Sequence, residues 1–154
     1  MSRNIEGKKY MEMKSHLESL VDMHGSANIN EFYKPRLVLS EGAAEIEVDV
    51  VDKFYHAGGA VHGSVYFKML DDAAWYAANS LERESFLVTT SFTTYITRPV
   101  SVGVVRAIGR VVNKNKSQFI SEAVMYDEEG KELGRGSGLF VKSKISLVSA
   151  DGYA

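Results

Sequence analysis

Between His56 and Ser80 the chain reads HAGGAVHGSVYFKMLDDAAWYAANS, a run of residue types that can do chemistry. Gly58, Gly59 and Gly63 crowd a loop with His56 and His62, and the loop passes directly into a helix. Glycines there let another group approach the backbone, and the first-turn N–H groups of the helix are free to hold a developing negative charge. Asp71 and Asp72 stand two turns further on, beside Trp75 and several alanines. At about 100° per residue, Lys68, Asp72, Trp75 and Asn79 share one side of the helix. Tyr66, Leu70, Ala73 and Ala77 share the opposite side, which is expected to face the core. Asp72, four residues from Lys68, is expected to be solvated or ion-paired. Asp71 falls at the border between Phe67, Ala74, Ala78 and Trp75, where partial desolvation raises a carboxylate's pKa and basicity. Asp71 is therefore the candidate general base or nucleophile.

The same geometry sets a distance problem. Asp71 lies eight residues beyond Gly63, which is about 12 Å along a helix axis. A carbonyl held at the start of this helix is out of reach of the acid on the same helix. A second copy of the chain is then required to supply the acid, and the expected assembly is a homodimer or homotetramer with shared sites.

The rest of the composition narrows the class. The 154 residues fit one domain that can bury about two thirds of its unfolded surface. Net charge is -2 and no run of Lys and Arg occurs, which argues against nucleic acid as a partner. Cysteine is absent, so disulfides, thiolate metal ligands and a cysteine nucleophile are excluded. Four histidines without metal-ligand spacing give no metal site. The polar start MSRNIEGKKY lacks the apolar segment of a signal peptide, and no apolar run approaches the ~20 residues of a membrane span. The expectation is a cytoplasmic protein without a membrane partner.

These residues must be positioned by the elements around them. Tyr10, Met13, Leu17, Leu20 and Val21 recur at helical spacing and predict an amphipathic helix over residues 8–23, ending at His24-Gly25. Pro35 opens a strand over residues 36–40, and Glu41-Gly42 turns into an alternating strand over residues 44–51. The glycine-rich loop and the helix over residues 64–79 follow. Period two then takes over, with strands at residues 86–97, 104–112, 119–126 and 133–142. Pro99 and Gly103, residues 113–116 and residues 127–130 mark the turns. Gly134, Gly136 and Gly138 share one face of the last strand and suggest close approach of another backbone, such as the helix. The last dozen residues look frayed. One long apolar helix among antiparallel strands is covered only if the sheet curls around it, an α+β arrangement.

With these elements in order, residues 36–142 resemble the hotdog-fold acyl-CoA thioesterases of the phenylacetate-degradation type. The resemblance rests on His56, Gly59, His62-Gly63-Ser64 and Asp71, on Ala73 and Ala78-Asn79-Ser80, and on Thr97-Arg98-Pro99-Val100 followed by Gly103. It implies a curled antiparallel sheet around one central helix, here with an extra N-terminal helical segment. The expected division is residues 1–30 helical, residues 31–145 the hotdog domain, and residues 146–154 a tail. The implied activity is hydrolysis of acyl-CoA thioesters, with coenzyme A present only as part of the substrate and no further cofactor. Two departures stand out: His56 where the family has Asn or Asp, and Ser64 where it has a second glycine.

The backbone N–H groups of Gly63 and Ser64 are the expected oxyanion donors, a device typically worth about 3 kcal/mol of barrier. A neutral imidazole at His56 can orient the water or the carbonyl, while His62 shapes the loop and can lie near the carbonyl. Ser64 lacks the Gly-x-Ser-x-Gly elbow of serine hydrolases and is not read as a nucleophile. Thr89, Thr90, Thr93 and Thr94 are read as strand formers, one of which can fix a water. Gly59 and Trp75 are expected to contact the substrate, and Arg98, Lys114 and Lys116 its phosphates. Solvated turn charge is the competing reading of those three cations. His16 and His24 are read as incidental. Two other activities stay open on this scaffold: non-catalytic acyl-CoA binding, suggested by His56, and a dehydratase pairing a histidine with an acid across the dimer.

Overall fold

The computed structural model describes residues 2–153, with side chains from residue 5 onward. The N-terminal helix α1 covers Ser2–Ser26 and the one-turn helix α2 covers Asn30–Tyr33. Strands β1 (Arg36–Ser40) and β2 (Ala43–Asp49) form a hairpin, followed by the central helix α3 (Gly63–Asn79). Four strands complete the chain: β3 (Ser85–Ile96), β4 (Val104–Lys114), β5 (Gln118–Tyr126) and β6 (Glu132–Ser146). They make one six-stranded sheet in the order β1-β2-β4-β5-β6-β3, antiparallel throughout. Helix α3 touches every strand, which a flat sheet does not permit; the sheet curls around it. This is the α+β arrangement that the element order predicted and the hotdog architecture that the resemblance implied.

The alternation of β2, β4 and β5 explains the core. Ile46, Val48, Val105, Ala107, Ala123 and Met125 point inward against α3, while their neighbours face water. Helix α3 answers with small residues, and Ala73, Ala74, Ala77 and Ala78 are all fully buried. The helix backbone consequently lies directly on β4. A Cβ at Gly109 would sit 2.2 Å from the Ala73 carbonyl oxygen. The glycines of β6 admit another backbone, as expected, but it is that of β3 and not of the helix. A Cβ at Gly136 or Gly138 would meet the Phe92 ring, and one at Gly134 the Tyr95 carbonyl, so they admit β3 and its side chains.

Three further expectations are corrected. The outer side of α3 is covered as well: Trp75, Tyr76 and Asn79 are buried although helix geometry assigned Trp75 and Asn79 to the side away from the core. The cover is α1, whose buried stripe is His16, Leu20, Met23 and His24; Tyr10 and Val21, taken as apolar-face residues, are exposed. The two histidines are thus docking residues. His16 donates from Nε2 to the Asn79 carbonyl at 2.8 Å and accepts at Nδ1 from the Tyr153 hydroxyl at 2.7 Å. His24 packs edge-on against Tyr76 at 5.0 Å, and burial pushes its pKa down to about 4, so it is neutral in the folded chain.

The chain end is not frayed either. Leu147 is fully buried, Ala150 and Tyr153 pack against the core, and Gly152 adopts φ +82 where a Cβ would strike Ser26. Tail and α1 hold each other over α3.

Gly109→Ala should therefore destabilise severely, because backbone rather than a pliable side chain blocks the methyl group. The expected loss is about 3 kcal/mol or more, beyond ordinary overpacking. Urea unfolding should show a lower midpoint at unchanged slope, or no folded protein.

Candidate active site

The loop before α3 is held almost entirely by its own backbone. Tyr55 bridges Val61, His62 N–H donates to the Phe54 carbonyl at 2.8 Å, and Val61 N–H donates to Val100 at 2.9 Å. His56 Nδ1 accepts from Gly58 N–H at 2.9 Å, with its ring lying where a Gly58 Cβ would be. Gly59 has φ +82, a conformation glycine adopts freely, and its carbonyl accepts from the Ser101 hydroxyl at 3.1 Å. Both residues fix the loop's shape.

At the helix start His62 is the N-cap. Its Nδ1 accepts from Ser64 N–H at 3.0 Å and lies 2.8 Å from Ser64 Oγ. The Ser64 N–H expected as an oxyanion donor is thus already engaged. The Gly63 N–H has no partner among the described residues, and it remains the available donor at the dipole-positive end of α3. A side-chain acceptor immediately before a helix was the sequence signal for this cap. Gly63 itself abuts β3, where an added Cβ would be 3.0 Å from Ile96 Cδ1.

Asp71 lies two turns along, against the other half of β3. Thr89 Oγ1 donates to Asp71 Oδ1 at 3.0 Å, so one threonine read as a strand former is the acid's partner. Burial pushes the Asp71 carboxyl up to about 6; the Thr89 hydrogen bond pulls it back, and the Asp72 charge raises it further. Asp72 pairs with Lys68 as expected, but the pair is buried rather than solvated, with side chains only 20% and 15% exposed. The difference follows from α1 and α2, which bring Tyr33 and His24 over Lys68.

Asp71 opens onto a cavity of about 540 Å³ whose walls include Trp75, Phe86, Leu87 and Val88. Trp75 is fixed there by its indole N–H, which donates to the Leu87 carbonyl at 2.8 Å. The other expected substrate contacts separate. Arg98 follows the end of β3 nearest Gly63, whereas Lys114 pairs with Phe119, which pairs with Phe140, which pairs with Thr89. Seven residues of β3, about 23 Å of strand, divide the two levels. One subunit cannot therefore bring Arg98 and the Lys114–Lys116 turn to a single nucleotide. Among the described residues no cluster of three or more His, Cys, Asp or Glu is placed to hold a metal ion, and no helix is long and apolar enough to cross a membrane.

A glycine-led helix, a half-buried acid on it and a curled antiparallel sheet define a recognisable class. Residues 58–133, the stretch carrying the loop, α3 and β3 to β5, match the family model of the thioesterase superfamily. The chain is similar to that superfamily over just under half of its length, and it has the hotdog fold. Among solved structures it superimposes on the Escherichia coli PaaI protein from the phenylacetic acid degradation operon with a TM-score of 0.79. That match has 17% identity and covers 86% of this chain and 96% of the other. A Thermoplasma volcanium protein provisionally named an esterase is 27% identical over 82% of this chain and 93% of its own length. One from Saccharolobus solfataricus, named in the same provisional way, is 22% identical over 80% and 89%.

The raised pKa makes Asp71 a stability liability with a defined pH signature. Its folded pKa lies above its unfolded one, so the cost is absent where both states are protonated and grows as pH rises from about 4 through about 6. Asp71→Asn should accordingly raise Tm at pH 7–8 and leave it nearly unchanged near pH 3.5, read by calorimetry.

Proposed function

We propose that this protein hydrolyses acyl-CoA thioesters at sites shared between two subunits. The match of residues 58–133 to the thioesterase superfamily model supports ester or thioester hydrolysis as the class of chemistry. The observation that carries the finer reading is Asp71 itself. It is a carboxylate lifted to about 6 in an apolar cavity, poised to accept a proton near neutral pH.

In this reading the thioester carbonyl oxygen rests on the Gly63 N–H of one subunit. Asp71 of the other either removes a proton from the attacking water or attacks the carbonyl itself, forming an anhydride that water then opens. Collapse of the tetrahedral intermediate breaks the C–S bond; on the general-base route the proton held by Asp71 passes to the leaving thiolate, and on the anhydride route the water that opens the anhydride supplies it. His56 orients water or the carbonyl, and Arg98, at the Gly63 end of β3, meets a phosphate of coenzyme A. Strand β3 supports the sharing. It is a sheet edge twelve residues long, and Val88, Tyr95 and Ile96 on it are exposed. Antiparallel pairing of two such edges, centred between Phe92 and Thr93, would set Thr89 of one chain opposite Ile96 of the other. Asp71 neighbours the first and Gly63 the second. Engagement of the Ser64 N–H by His62 favours one rival reading, an acyl-CoA-binding protein without turnover.

Free-thiol release from a panel of acyl-CoAs separates the two readings: none from any member overturns hydrolysis. Asp71→Asn should lower kcat at least ~100-fold, the range of a lost general base. Mixing Asp71→Asn with Gly63→Val subunits should restore activity, because the mixed dimer regains one site with both parts intact. No rescue in verified mixed dimers would defeat the shared site.

The pH profile supplies a separate check. kcat/KM should rise with pH through about 6, as Asp71 loses its proton. Thr89→Val removes a hydrogen bond to the carboxylate form, so that limb should move to higher pH.

A further inference from the structure

Lys68 lies three residues before Asp71 and four before Asp72. Both spacings bring side chains together on a helix surface, so either carboxylate is within its reach. The fold decides between them. Asp71 meets β3, where Thr89 Oγ1 donates to its Oδ1 at 3.0 Å. Asp72 lies under α1 and α2 and takes the Lys68 ammonium, and both members of that pair are largely buried. The Tyr33 ring of α2 lies 5.4 Å from Lys68 Nζ, a cation–π contact that holds the ammonium on this side. His24 of α1 faces Lys68 and is neutral, so it does not drive the ammonium toward Asp71. Burial and the Asp72 charge both keep the Tyr33 and Tyr76 hydroxyls un-ionised, which places those two rings on the Asp72 side as well. Asp151, on the exposed tail, is the one other charged residue lining the cavity that Asp71 and Asp72 share.

We propose that the cover laid down by α1 and α2 commits Lys68 to Asp72 and thereby keeps its ammonium off Asp71, leaving Asp71 free as the proton acceptor. The inference rests on the hydrolase reading and adds a positioning residue, Lys68, to that same site. The physical case is a choice between two ion pairs. An ammonium in contact with Asp71 would stabilise its charged form, and a carboxylate so paired is a poor base. Asp72 beside Asp71 without Lys68 would oppose ionisation instead, because two adjacent carboxylates in an apolar cavity do not both ionise readily. Pairing Lys68 with Asp72 offsets the two charges against each other. Burial and the Thr89 hydrogen bond are then left to set the basicity of Asp71. Stability alone gives no reason for the pair, since buried ion pairs are often no more stabilising than neutral residues of similar size.

The test separates Lys68 from its partner. Asp72→Asn leaves Asp71 as the nearest carboxylate to the ammonium. The acid limb of kcat/KM should then move about one pH unit lower, the small end of what one neighbouring charge does, and the plateau above it should fall. Adding Lys68→Met removes the ammonium, and the double variant should return the limb and the plateau to near their wild-type values. Carbon NMR of isotope-labelled aspartate carboxyls, with the Asp71 signal assigned from Asp71→Asn, should show the same two movements with no substrate present. Tm reads the structural part separately. Lost stability with an unmoved Asp71 midpoint in Asp72→Asn would overturn the inference, as would a double variant that keeps the single variant's displacement. If Asp72→Asn does not fold, Asp72→Ala, which admits water beside Lys68, carries the same expectations. Midpoints that move as expected in a protein releasing thiol from no acyl-CoA would instead defeat the hydrolase reading and leave the assignment of Lys68 standing.

Discussion

The main chain of α3 rests on β4 at Gly109, where a methyl group would come within 2.2 Å of the Ala73 carbonyl oxygen. That approach sets the depth of the helix in the sheet, and the rest of the site depends on it. A helix seated this deep carries Asp71 down to β3, where Thr89 meets it at 3.0 Å, and sinks the carboxylate far enough to lift its pKa to about 6. The alanines at 73, 74, 77 and 78 are the other half of the arrangement, since bulkier side chains would hold the helix off.

A sheet covers only one side of a helix, and the far side of α3 carries Tyr76, Trp75 and the Lys68–Asp72 pair. The cover comes from α1 and the chain end. Burying an ion pair there is costly in itself, so its members must be matched to each other and to their surroundings. Lys68 answers Asp72 and lies against the Tyr33 ring, and His24 stays neutral beside them. Neutrality matters: a charged imidazole at that place would face the Lys68 ammonium across a poorly solvated gap. The same cover creates the cavity at Asp71, so the layer that stabilises the helix also shapes what can reach the acid.

The start and the middle of α3 carry the two features of the candidate site. At the start, His62 satisfies the Ser64 N–H and leaves Gly63 open, which concentrates the helix's electropositive end on one donor. In the middle, desolvation raises the basicity of Asp71. The two features lie too far apart to act together in one subunit, and the exposed β3 edge lies alongside both. In the proposed reading the site is therefore a property of an assembled pair of chains.

Much of this was legible in the sequence because it is local. Period-two alternation and Gly- and Pro-marked turns placed β1, β3, β4, β5 and β6 to within a few residues. A rotation of 100° per residue, together with the small neighbours Ala74 and Ala78, singled out Asp71 over Asp72. What the pattern could not contain is what covers each face. Trp75 and Asn79 looked outward because periodicity records apolarity, and the covering α1 shows its buried stripe through two histidines that composition alone reads as polar. Thr89 reaches Asp71 across eighteen residues of chain, and Gly109 meets Ala73 across thirty-six. Arg98 and Lys114 looked alike as strand-end cations, yet the sheet register set them at opposite ends. The sequence by itself determined the elements, their order and the candidate acid, since each depends on neighbours within a turn or two. Tertiary structure alone decided the acid's partner, its desolvation and the walls of its cavity, because those depend on contacts between segments whose spacing along the chain carries no pattern.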